Sequence, residues 1–118
     1  GAWLEERGGR LEPLFPDARH LAPAVEIEVA RRPGHARAAS YRAEDVEPLL
    51  ASGQLEGYGS GEGLGVELLP GLRAHVLGGH SDGVAVIALS RPGATLDDPQ
   101  QALFWSDVVP TTHHVQPA

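Results

Sequence analysis

The stretch that decides the fold is Leu72-Arg73-Ala74-His75-Val76-Leu77-Gly78-Gly79-His80-Ser81-Asp82-Gly83-Val84-Ala85-Val86-Ile87-Ala88-Leu89. Two apolar runs, 72–77 and 84–89, flank a short glycine-rich break, so the pattern predicts two strands joined by a loop. A connection this short joins strands antiparallel, because a parallel crossover needs a dozen or more residues. The second run is apolar at every position and belongs between two layers, since a strand with one wet face alternates polar and apolar residues.

Working outward, Leu55 to Tyr58, Val66 to Leu68 and Ala102 to Trp105 are further short apolar runs bounded by glycine or proline, and they read as strands of the same sheet. Pro70-Gly71 is a tight-turn dipeptide, and Arg91-Pro92-Gly93 opens a loop that closes near Gln101. Upstream the texture is helical. Pro23 suits a first helical turn, and Val25, Ile27 and Val29 follow before Arg31-Arg32-Pro33-Gly34. Their period of two argues for a strand, while Glu26, Glu28 and the terminal arginines suit the helix dipole, and the helix is preferred. Ala43 to Leu50 predicts a second short helix with early acids and Gly53 as the residue that ends it. Ala18 to Leu21 suits a brief strand, and residues 1–17 read as a surface segment with at most one helical turn around Gly8-Gly9, Pro13 and Pro16. The sum is a single α/β layered domain spanning 1–118, with a helical half followed by a strand-rich half.

Composition narrows the chemistry. The 118 residues carry 16 acidic against 9 basic side chains, a formal charge of -7, which offers no counterion-release footprint for nucleic acid. Cysteine is absent, which excludes disulfides, thiolate zinc sites and a cysteine nucleophile. All nine cations are arginine, so a Schiff-base or Walker lysine is excluded as well. Any metal needs histidine and carboxylate ligands. With no signal peptide and no apolar stretch near the roughly 20 residues of a membrane span, the expectation is a soluble, cytoplasmic protein without membrane partners.

Two constellations carry possible chemistry. In Gly78-Gly79-His80-Ser81-Asp82-Gly83, a glycine pair lets the backbone turn sharply and present an imidazole at the sheet rim, where it can ligate a metal. The residues alone favour a plain hairpin loop with a solvated His80. In Phe104-Trp105-Ser106-Asp107-Val108-Val109-Pro110-Thr111-Thr112-His113-His114, an aspartate at the end of an apolar strand is held by a rigid element; the same residue also suits a turn cap. His113 and His114 point oppositely on an extended segment, so at most one faces a given site. His20, His35 and His75 receive no role, His75 being expected half-exposed in mid-strand. Asp97 and Asp98 read as loop residues, and Glu26, Glu28, Glu44 and Glu47 as wet helix faces.

Together these constellations resemble the third and fourth metal motifs of the metallo-β-lactamase-fold hydrolases, in the lactonase-like and phosphotriesterase-like branch. The matching residues are Gly79-His80-Ser81-Asp82-Gly83, the apolar strand Val84 to Leu89, and Ala102-Leu103-Phe104-Trp105-Ser106-Asp107. Phe15 to His20, Ala39 to Glu44, Leu69 to Arg73 and Asp107 to His114 are also similar to stretches of that branch. The resemblance implies an αββα sandwich with mostly antiparallel strands and outer helices. It also implies His80 as a ligand of one metal, Asp107 as the carboxylate bridging two, and His114 near the substrate pocket. Two zinc ions would then activate water against a small ester, lactone or phosphoester, with a homodimer as a possible assembly.

The departures are specific. The His-x-His-x-Asp-His motif and the later histidine ligand are absent, Asp82 stands for the usual proline, and Ser106 for the usual glycine before the aspartate. The chain opens at Gly1 and closes after polar residues, so the expectation is an internal fragment that alone binds zinc weakly and turns over little. The alternative is a non-catalytic remnant of the fold serving as a binding or dimerisation module.

Overall fold

The computed structural model describes residues 4–34, 41, 43–59, 65–95, 97 and 101–108. It has helices and mostly antiparallel strands, an α/β class, divided into two compact units, 1–58 and 59–118.

The first unit opens with a hairpin of β1 (Leu4–Arg7) and β2 (Arg10–Pro13). The sequence predicts no strands here, because Glu5, Glu6, Arg7, Arg10 and Glu12 leave little apolar alternation to read. The turn explains the outcome. Gly8 and Gly9 both take positive φ, +58° and +79°, the two-residue arrangement whose twist matches that of paired strands. β3 (His20–Pro23) lies two residues beyond the expected Ala18 to Leu21 and leads directly into α1 (Ala24–Arg31), with Pro23 at its N-cap. The helix wins over the strand reading because the prefixed φ of Pro23, early Glu26 and late Arg31 all favour it. α2 (Ala43–Ala51) ends at Gly53, whose φ of +73° is the left-handed geometry of a helix stop. Among the described residues Pro23, Ala30 and Leu49 are the buried positions of this unit.

β4 (Leu55–Tyr58) corrects the expectation of one sheet. It pairs in parallel with β3, His20 opposite Leu55 and Pro23 opposite Tyr58, in a two-stranded sheet of its own. The crossover through α1 and α2 is far longer than a parallel connection requires. Gln54 fixes the register: its carbonyl accepts the His20 N–H at 2.7 Å, and its side-chain amide donates to the carbonyls of Phe15, Pro16 and Ala18 at 2.9, 2.7 and 3.0 Å. Gly57 lets α1 approach closely, since a Cβ there would stand 3.2 Å from Ala24.

The second unit is a four-stranded antiparallel sheet in sequence order, β5 (Val66–Leu69), β6 (Leu72–Val76), β7 (Ala85–Leu89) and β8 (Ala102–Phe104). The Pro70-Gly71 turn joins the first pair, and Gly71 is required twice: its φ is +81°, and a Cβ would lie 2.4 Å from the Ser90 carbonyl oxygen. Cross-strand partners share a face. One face carries Val66, Ala74, Ile87 and Phe104 in a row, beside Leu69, Leu72, Leu89 and Ala102. The other carries Glu67, Arg73, Ala88 and Leu103, beside His75 and Val86. Buried positions occur on both faces, Ala74 on the first and Val86 and Ala88 on the second. The sheet is thus most enclosed at β6 and β7, while Leu89 and the β8 residues Leu103 and Phe104 remain exposed. His75 is half-buried, as its strand position predicts.

Candidate functional site

His80 and Asp107 come together at one end of this sheet. β6 leaves at Val76, and the Leu77 and Gly78 N–H groups both donate to the Val84 carbonyl, at 2.9 and 3.2 Å, closing the base of the loop. Gly78 and Gly79 have φ of +72° and +108°. A Cβ at either would find no close neighbour, so the dihedral and not crowding demands glycine. Gly83 and Val84 are buried beneath the loop, and His80 stands outside it.

Asp107 arrives by a different route. β8 runs antiparallel to β7, with Leu89 opposite Ala102 and Ile87 opposite Phe104, so its C-terminal end lies beside the start of β7 and therefore beside the His80 loop. The chain then folds into a 3₁₀ turn, Ser106–Val108, closed by the Val108 N–H donating to the Trp105 carbonyl at 3.2 Å and packed against β7. Asp107 sits in the middle of the turn.

The outcome is a separation of 4.0 Å between His80 Nε2 and Asp107 Oδ2, with both side chains 65% exposed. Zinc holds nitrogen and carboxylate oxygen at about 2.0–2.2 Å, so two donors of a tetrahedral ion stand roughly 3.4 Å apart. The observed gap exceeds that by about 0.6 Å, within the reach of two exposed side chains turning about their χ angles. The pair therefore fits as two members of a ligand set. Among the described residues no third histidine or carboxylate joins them, and zinc sites use three or four protein ligands. His114, expected near the pocket, lies outside the described residues, as do His35 and His113.

Two further features mark this sheet. Ser106, directly before Asp107, has a φ of +50°, the left-handed region. At the opposite end of the sheet a cavity of about 220 Å³ opens between Glu67, Arg73, Ser90, Arg91 and Gln101. Arg73 there is engaged by Glu67 at 3.7 Å and by the Gly65 carbonyl at 3.4 Å. The strand order places this cavity at the Leu72 and Leu89 ends, away from His80 and Asp107.

Elsewhere the charges are structural. Arg19 donates two hydrogen bonds to Glu56, at 2.9 and 2.6 Å. That pairing, through the hydrogen bond first and charge attraction with it, holds the Glu56 carboxyl below its ordinary pKa. Glu28 and Glu47, 3.7 and 3.6 Å from Arg31, are exposed as expected of wet helix faces, whereas Glu26 is half-buried and accepts a hydrogen bond from Tyr41. Burial pushes the Tyr58 phenol up from its ordinary value. His20 Nε2 is buried without a hydrogen-bond partner among the described residues.

No protein-family model, curated protein or solved structure matches this chain. Among the described residues no helix is long and apolar enough to cross a membrane.

Proposed function

We propose that this chain carries two ligand positions of a metal-dependent hydrolase centre of the metallo-β-lactamase type, with His80 on one ion and Asp107 bridging two. The observation that supports it is the convergence of His80 and Asp107 to 4.0 Å from two different loops at the same end of one sheet. In this reading the antiparallel sheet β5 to β8 is one sheet of an αββα sandwich, and the remaining ligands come from outside the described residues. Zinc bound in such a centre lowers the pKa of its water to near neutrality, which supplies a nucleophile for an ester, lactone or phosphoester. His80 and Asp107 contribute by holding and orienting the ion, and the loops around them select the substrate.

The test is a zinc titration followed by nuclear magnetic resonance of the histidine ring protons. Weak binding is expected, with resonances of His80 shifting before those of His20 or His75. Uniform shifts across the histidines, or none at His80 at millimolar zinc, would refute the assignment. Sub-micromolar affinity would show that the chain supplies more ligands than these two.

A further inference from the structure

We infer that Ser106 is a positioning residue for Asp107, and that its left-handed backbone conformation is what aims the carboxylate at His80; this rests on the reading of the two residues as metal ligands. Among the described residues every other positive φ belongs to a glycine, and Ser106 alone places a side chain in that region. For an L-residue the conformation is sparsely populated because Cβ crowds the backbone, so it persists only where surrounding structure enforces it.

The location gives it meaning. Ser106 is the first residue after the short link from β8, and the chain reverses there into the 3₁₀ turn whose middle residue is Asp107. A residue with negative φ at this point would send the next side chain in another direction. The facing loop uses the same device: Gly79, at φ +108°, directly precedes His80. Each member of the pair is thus presented by the residue before it through a positive φ. At His80 glycine adopts it freely, whereas at Asp107 a serine is held in it. The Ser106 side chain is exposed, and its hydroxyl makes no hydrogen bond among the described residues, so the backbone angle and not the hydroxyl carries the effect.

The inference makes a distinctive demand on substitutions. Glycine, and asparagine, which tolerates the left-handed region, should preserve the geometry; β-branched valine should not. The experiment compares wild type, Ser106→Gly, Ser106→Asn and Ser106→Val by nuclear magnetic resonance, first without metal and then with added manganese(II). Without metal, an Overhauser contact between the His80 ring and the Asp107 methylene is expected in wild type, Ser106→Gly and Ser106→Asn, and lost in Ser106→Val. With manganese(II), Asp107 and His80 should broaden together in the first three, while Asp107 of Ser106→Val should need at least tenfold more metal. Ser106→Ala replaces Ser106→Val if the latter fails to fold, and a weakened contact is then expected. Absence of the contact in wild type, its survival in Ser106→Val, its persistence at full intensity in Ser106→Ala, or its loss in Ser106→Gly overturns the inference. The expected metal-free pattern without selective broadening at His80 and Asp107 leaves the positioning role supported and refutes the metal reading instead.

Discussion

Two exposed pairs of charged side chains, one in each unit, show what separates a structural contact from a candidate site. Arg19 and Glu56 meet fork to fork at 2.9 and 2.6 Å, each beside or on one of the paired strands β3 and β4. His80 and Asp107 stand 4.0 Å apart, each on a turn after its strand has ended. In the first pair the carboxylate oxygens are taken up by the guanidinium, and a planar bidentate match leaves little room for a third party. In the second, the distance is too long for a hydrogen bond between the two groups. Exposure does not distinguish the pairs; geometry and the elements beneath them do.

The strongest way to break the comparison is to disturb the sheet that carries the second pair. Gly71→Ala, which must hold a side chain at φ +81° against the Ser90 carbonyl, should cost about 2–3 kcal/mol in a thermal unfolding experiment. A cost near zero would mean that the turn between β5 and β6 is not the rigid frame described.

Removing a member of the second pair should act on binding and spare stability. His80→Ala or Asp107→Ala is expected to lower the apparent zinc affinity at least tenfold, about 1.4 kcal/mol. Because both side chains are largely exposed, denaturant midpoints should shift by no more than about 0.5 kcal/mol. A large stability loss with unchanged zinc response would turn the pair into a structural contact like that of Arg19 and Glu56.

In the first unit the order reverses. Gln54→Ala removes the amide that serves three carbonyls and should cost about 1 kcal/mol of stability, measured by urea unfolding, with no change in zinc response.

The smallest effect concerns pH. The folded-state pKa of Glu56 is depressed by Arg19, so its contribution is present above the unfolded value and disappears as pH falls through the folded one. Comparing wild type with Glu56→Gln should show a small stability advantage at neutral pH that shrinks below the ordinary value of 4.5 and weakens in high salt. An advantage that grows on acidification would contradict the assigned direction.

Much of the secondary structure was legible because its signals are local. Pro23 and Gly53 bound their helices through dihedral preference alone, and the runs Leu55 to Tyr58, Leu72 to Leu77 and Val84 to Leu89 announce strands by apolar content, to within one residue of the observed ends. The hairpin β1–β2 was not legible, since charged residues dominate it and its signal is confined to the two glycines. The partner of β4 was not legible either. An apolar run looks the same in a parallel pair and an antiparallel one, and the choice depends on where Gln54 finds carbonyls distant in sequence.

The candidate site divides along the same line. The sequence by itself determined which side chains are available: no cysteine, no lysine, and a histidine and an aspartate following strands. Only the tertiary structure brought His80 and Asp107 to one rim, because adjacency across β6, β7 and β8 follows from strand order and register, which no local pattern encodes. The positive φ of Ser106 belongs to the second category: the sequence marks the position as one where glycine is usual, but a serine takes that angle only where the surrounding fold imposes it.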